Sequence, residues 1–416
     1  MTNSTTKPHN WRLLLNATVI VSALGYFVDI YDVVLFSIVR VGSLRSIGVP
    51  ENTILDVGVL LLNMQMVGML VGGVVWGIVG DKKGRLSVLF GSIFLYSIAN
   101  ILNAFVTTVP QYAALRFLAG VGLAGELGAA ITLVSEILPR QMRGYGTTIV
   151  ATVGICGAIF AGAIGDLFTW KTSYLVGGSL GIGLLLLRIG TLESVLFAHA
   201  QKQTHLRRGD ISLLFKNMDR VKRYLYAIFI GVPIWYVIGI LVTFAPELTR
   251  ELGVTGSVSA GHSILFCYVG LTFGDIASGL LSQWWASRRK VVLIFLGLTV
   301  VGVGVYCSWH NFTSTAFYGL CVFMGFASGY WAIFVTSAAE QFGTNLRATV
   351  TTTVPNFVRG AVVPLTLAFK MLASPRFGFT LIQSASLVGA ICIVMAFYSA
   401  YRMRETFGDD LNFYEE

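Results

Sequence analysis

Charge is what this chain has least of: only 12% of its 416 residues are Asp, Glu, Lys or Arg, against about a quarter in a soluble globular domain. An ordinary water-facing surface is thereby excluded. Cysteine is scarce as well, and Cys156, Cys267, Cys307, Cys321 and Cys392 stand far apart inside apolar runs, with no histidine cluster beside them. Neither a disulfide framework nor a metal site is expected, and the five are read as small apolar packing residues. Catalytic signatures are missing too: there is no HExxH, no GxGD and no Walker A loop. GVGLAG (120–125) has the spacing of a dinucleotide fingerprint and GGSLG (177–181) that of a nucleophile elbow. Both lie inside apolar runs instead of between a strand and a helix, so their glycines are read as close-packing surfaces. No enzyme and no cofactor is expected.

What the chain has is hydrophobicity: 55% of its residues are apolar, and its mean hydropathy is +0.75. Apolar runs long enough to cross about 30 Å of hydrocarbon as helices recur along it. Twelve are expected, at 14–39, 56–80, 86–107, 111–137, 144–166, 170–190, 223–246, 260–285, 290–309, 314–340, 347–373 and 377–401. The fold class is therefore an all-α membrane protein. The polar start MTNSTTKPHNWR precedes a run too long for a secretory signal and without a small-residue cleavage site, so the first helix is expected to remain as an anchor. Twenty-one of the 29 Lys and Arg fall on one side, at the termini and the even-numbered connections; six fall on the other, and Arg116 and Arg359 lie within helices. That bias places both termini in the cytoplasm, with the chain in a cell membrane, a bacterial inner membrane for preference. It also accounts for the net charge of +9, so no nucleic-acid partner is implied.

The longest polar connection divides the chain into a six-helix half (1–190), a cytoplasmic linker (191–222) and a second six-helix half with a short tail (223–416). A duplicated unit is suggested. In VSEILPRQMRG (134–144) Glu136 and Arg143 are seven residues apart, and in AAEQFGTNLRA (338–348) Glu340 and Arg347 repeat that spacing 204 residues later. GVGLAGE (120–126) and MGFASGY (324–330) correspond at the same offset. The second half has Leu320 where the first has Arg116, and Tyr330 where it has Glu126, so ionisable chemistry is concentrated in the first half.

GIVGDKKGRLSVLF (77–90) resembles the GxxxDxxGRR/K loop signature of the major facilitator superfamily. Together with twelve helices in two pseudo-symmetric halves, the resemblance covers nearly the whole chain. The YD of the first helix, R-x-x-x-G-x-G-x-x-G-E on the fourth (116–126) and NFVRG on the eleventh (356–360) look most like the metabolite:proton symporters, kin to phosphate:proton symporters and sugar porters. The matching second loop, GLLSQWWASRRK (279–290), is degenerate, with Gln283 where the signature has Asp. In the first loop Gly77 and Gly80 are read as points of close helix approach, and Lys82, Lys83 and Arg85 as facing an anionic leaflet. The resemblance implies that Asp81 and Arg85, with the Glu136/Arg143 and Glu340/Arg347 pairs, act as conformational-switch residues.

Ionisable residues at membrane depth cost roughly 2.5 to 3.5 kcal/mol each on the gentler insertion scale, so each is a functional-site hypothesis. Asp29 and Asp32, in GYFVDIYDVV (25–34), lie one helical turn apart on one face. Asp32 is expected level with Arg116, either as a proton-coupling pair or as a static ion pair that fixes packing. Asp29 either extends a relay toward Glu126 or bonds a polar neighbour. Glu126 is a second proton site, a ligand for a cationic substrate group, or a structural residue hydrogen-bonded to a Ser or Thr. Arg359 either clamps a substrate carboxylate or pairs with Asp275. Trp235, Tyr236, Tyr330, Trp331 and Asn356 are candidate cavity residues or packing residues, and Trp284 and Trp285 read as interfacial anchors. The expectation is alternating-access import, coupled to protons, of a small polar metabolite such as an organic acid or amino-acid-like compound, by a monomer. An exporter or uniporter of the same fold, or a receptor without transport, remains the alternative.

Overall fold

The computed structural model describes residues 15–83, 85–138, 143–199 and 212–407. Its elements are helices: α1 (Ala17–Ser46), α2 (Ile54–Lys83), α3 (Arg85–Asn103), α4 (Val109–Leu123), α5 (Glu126–Ile137), α6 (Arg143–Leu167), α7 (Trp170–His199), α8 (Ser212–Phe215) and α9 (Met218–Tyr236). After a π-helical segment (Val237–Val242) come α10 (Ala245–Glu251), α11 (Ala260–Trp284), α12 (Arg288–Ser308), α13 (Ser314–Ala327), α14 (Trp331–Glu340), α15 (Thr344–Gly360), α16 (Val362–Leu372) and α17 (Leu381–Arg402). Among the described residues there is one isolated β-bridge, Thr255 with Thr313.

Nine stretches among the described residues are long and apolar enough to cross a membrane. The other three expected crossings coincide with α3, with α4 and α5 in succession, and with α15 and α16 in succession, which is consistent with twelve. α3 is apolar over Ser87–Asn103. α4 and α5 carry Arg116 and Glu126, while α15 carries Thr349, Thr351, Thr352, Thr353, Asn356 and Arg359. Trp284 and Trp285 are exposed at the end of α11, as interfacial anchors are.

Small residues set the helix spacing. A Cβ on Gly68 or Gly72 of α2 would run into the α4 backbone at Phe117 and Val121, and one on Gly270 or Gly274 of α11 into α13 at Val322 and Phe326. Both pairs are G-x-x-x-G surfaces, so backbones meet where side chains would hold them apart. Gly120, Gly122 and Gly125 of the fingerprint-like stretch are packed in the same way, which bears out their reading as packing surfaces. Gly77 is not: among the described residues nothing lies within 4 Å of the Cβ it lacks, and the surroundings of Gly80 lie outside them. The close approach expected there occurs one turn and more earlier in α2.

Two crossings are interrupted at corresponding places, between α4 and α5 at Ala124–Gly125 and between α13 and α14 at Ser328–Tyr330. The halves meet mainly where α2 lies along α15 and where α6 lies along α11. Part of the expected linker, residues 200–211, lies outside the described residues. The bundle has a terminal end, where α1 begins and α17 finishes, and a distal end opposite it.

Candidate functional site

Four interrupted crossings bring their broken points to one layer, and the breaks explain why polar side chains gather there. Glu126 is the first residue of α5, Trp331 the first of α14, Arg359 lies in the last turn of α15, and Trp235 precedes the π-helical segment. Pro233 and Pro355 sit one turn or less before Trp235 and Arg359. A proline inside a helix removes a backbone bond and loosens the turn before it, which frees the chain to deviate. Ligand sites in transporters are commonly built from such discontinuous helices.

The centre of the layer is Arg359, 1% exposed, whose Nη2 lies 3.6 Å from Asp29 Oδ2. Its Cζ is 5.8 Å from the ring centroids of both Trp235 and Trp331. Among the described residues, none of its three guanidinium nitrogens, and neither Asp29 oxygen, has a hydrogen-bond partner. Buried groups of this strength are normally bonded, because an unmade bond leaves its desolvation uncompensated. The Asp29–Arg359 pair is therefore loose in geometry although fully enclosed. Arg359 pairs with Asp29 and not with Asp275. The Asp275 carboxylate accepts from the backbone N–H of Ala332 at 3.2 Å, so it caps the start of α14 and helps to position Trp331.

Asp32 is 0% exposed, and neither of its oxygens has a hydrogen-bond partner. It makes no hydrogen bond with Arg116. Arg116 instead donates to the Tyr174 hydroxyl at 3.4 Å, lies over the rings of Phe36 and Tyr174, and leaves Nε and Nη2 unbonded. The expected Asp32–Arg116 pair is thus a shared neighbourhood and not a contact. Asn100, whose amide atoms are also without partners, lies beside Asp32.

Glu126 is fully buried and both its oxygens are bound by Arg188, one of them at 3.0 Å from Nη1. Arg188 also reaches the Leu89 carbonyl at 3.4 Å. The pair packs against Gly25, where any Cβ would strike both side chains. Sequence reasoning missed Arg188. Its signal was LLLLRIG, a guanidinium near the end of the sixth run, passed over as a loop charge. Arg40 was missed likewise: it stands one residue beyond the first expected run, yet it is 0% exposed.

Three of the proposed cavity residues are committed to packing. The Tyr330 hydroxyl donates to the Ile230 carbonyl at 2.9 Å, and the Tyr236 hydroxyl to Ala385 on α17 at 2.8 Å, away from Arg359. Asn356 donates to the Ala124 carbonyl at 2.9 Å, joining α15 to the interruption between α4 and α5. Of the switch residues, Glu340 is bonded to Arg288 and to the Thr406 hydroxyl. The side chains of Asp81, Arg85, Glu136, Arg143 and Arg347 lie outside the described residues.

The arrangement is a buried guanidinium between two indole faces, held by a carboxylate from the other half, with a second carboxylate one turn away. Chemically it suits an anion that carries a flat apolar body. Comparison with known proteins identifies the family. The chain is 24% identical over 384 residues to the "Benzoate transport protein" of Acinetobacter baylyi, covering 82% of this chain and 79% of that one. It is 24% identical over 402 residues to the "Gentisate transporter" of Corynebacterium glutamicum, covering 91% and 86%. Among solved structures, a D-xylose-proton symporter superposes with a TM-score of 0.67 at 14% identity, over 94% of this chain and 98% of that one, which is a likeness of fold. The sequence model of the Major Facilitator Superfamily matches residues 22–360. This chain, a multi-pass membrane transporter and not an enzyme, belongs to the major facilitator superfamily.

Proposed function

We propose that the protein imports a small aromatic or heteroaromatic monocarboxylate together with a proton, by alternating access of the halves 1–190 and 223–416. The observation that carries this reading is Arg359 between Trp235 and Trp331, with its nitrogens unbonded and Asp29 beside it. A substrate carboxylate that takes the guanidinium bidentately gains directed, charge-assisted bonds, and its ring finds two indole faces. It displaces Asp29, which then leaves the ion pair by taking a proton. Asp29 and Asp32 are the carboxyls free for that role, because Glu126 is committed to Arg188. The names of the benzoate and gentisate transporters support the substrate class.

In this reading the chain works as a monomer with both termini in the cytoplasm, so the distal end faces outward. The residues 81, 85, 136, 143, 340 and 347 brace the halves at the terminal end while the site is open outward. The test is uptake of labelled benzoate and gentisate by proteoliposomes, with and without an imposed pH gradient. Gradient-dependent accumulation that is lost in Arg359→Gln supports the reading, whereas gradient-dependent accumulation of neutral sugars in preference to carboxylates would refute it.

A further inference from the structure

Among the described residues, polar side chains also join the halves at the distal end. Five are present there: Arg40 with Glu247, Ser37 with Thr243, Asn63 with Thr366, Asp56 with Lys370 and Asp166 with His262. They are not equal. Lys370 and Asp56 are about half exposed, as is His262, and ion pairs in water contribute little.

Arg40 differs in kind. Its side chain is fully buried, with Nη1 2.7 Å from Glu247 Oε1, Nη2 donating to Glu247 Oε2 at 2.8 Å and to the Thr243 carbonyl at 3.3 Å, and Cζ 4.7 Å over the Phe244 ring. One side chain of α1 is thus gripped by three residues of the other half. From behind it is held by Gly58 of α2, where a Cβ would come within 2.8 Å of Arg40 Cδ. The gripping residues come directly after the π-helical segment Val237–Val242, an element that recurs at functional sites and marks a helix able to change course.

We infer that Arg40 and Glu247 form the distal gate of the transport path, the pair whose separation admits substrate to Arg359 from that end. The inference rests on the alternating-access reading of the fold. A buried ion pair that loses one partner inside protein is left with an uncompensated charge, but one that opens into a water-filled vestibule is rehydrated on both sides. Closure is therefore held firmly while the halves touch and is released without an orphaned charge once they part. Breaking the pair by substitution removes the hold and favours the distally open state.

The experiment uses a variant in which Cys156, Cys267, Cys307, Cys321 and Cys392 are replaced by serine or alanine and Ser37→Cys is added as reporter. Ser37 is buried and bonded to Thr243 across the gate. A membrane-impermeant maleimide is applied from the distal side, and the alkylation rate at position 37 is measured without substrate. Glu247→Gln is expected to raise that rate at least tenfold, Arg40→Lys by a smaller factor, and Lys370→Gln by less than twofold. Unchanged rates in both Glu247→Gln and Arg40→Lys would overturn the inference, as would a rise in Lys370→Gln equal to that in Glu247→Gln. The measurement needs no substrate. A transporter that failed to move any carboxylate would refute the proposed function while leaving the alkylation result to decide the gate.

Discussion

Asp29 on α1 and Arg359 on α15 lie 3.6 Å apart, 330 positions distant in sequence, and they join the first part of the chain to the last at the depth where the discontinuous helices break. Any rocking of one half against the other must change this contact. In the proposed function the pair is the point where substrate anion, proton and conformation act on one another.

Arg359 is predicted to be needed for its planar fork as well as its charge. Arg359→Lys keeps a cation but loses the two parallel donors. Transport of benzoate should fall about a hundredfold, a loss of roughly 3 kcal/mol such as results when a charge-assisted pair is removed. Initial uptake rates at fixed protein abundance check it.

The indoles are predicted to select for a ring. Cation–π and stacking contacts are worth about 1 to 2 kcal/mol when desolvated. Trp331→Ala should raise the half-saturation concentration for benzoate by roughly fivefold to thirtyfold, with a smaller effect on an aliphatic acid of similar size. Concentration series for the two substrates, measured side by side, separate this from a general loss of folding.

Glu126 and Arg188 are predicted to behave as a structural unit. Removing one partner leaves a buried charge and costs about 3 to 5 kcal/mol, while replacing both by neutral groups of similar volume costs far less. Glu126→Gln and Arg188→Met should each lower the melting temperature of purified protein, and the double variant should recover most of the loss. Gly25→Ala should destabilise as well, since its Cβ has no room beside the pair.

Glu405 brings a carboxylate to the second loop, where Gln283 stands at the position of the signature's Asp. It accepts from the Ser287 hydroxyl and from the backbone N–H groups of Arg288 at 2.9 Å, Arg289 at 3.1 Å and Phe407 at 3.1 Å, so the segment after α17 caps α12. Partial burial pushes its carboxyl up, but these hydrogen bonds outweigh that and hold it below the usual carboxylate range. A depressed carboxyl contributes stability that is present above its unfolded value of about 4.3 and is lost as the pH falls through the folded value. Acidification from about pH 6 to about pH 3.5 should therefore cost the wild type more in melting temperature than it costs Glu405→Gln.

Much of the architecture was legible because it derives from composition and period. Apolar runs gave the crossings, and the 204-residue offset paired the two stretches that hold the matched interruptions at Ala124–Gly125 and Ser328–Tyr330, although each reads in sequence as one continuous helix. Partners across helices were not legible. Spacing along α1 put Asp29 and Asp32 on one face, but nothing in it says which buried arginine each meets. Depth was misjudged wherever a charge lay near the end of a run. Arg40 and Arg188 were counted as loop cations, although a long side chain near a helix end can as well turn inward when a carboxylate waits there. Aromatic residues beside a site also look alike in sequence: Trp235 faces Arg359, whereas its neighbour Tyr236 faces α17.

The central claim, that Asp29 exchanges Arg359 for a proton, is tested most directly by benzoate movement in proteoliposomes containing Asp29→Asn. The account predicts that an inward proton gradient no longer drives accumulation, while exchange of internal for external benzoate without a gradient persists. Gradient-driven accumulation equal to that of the wild type, with the same dependence on pH, would contradict it.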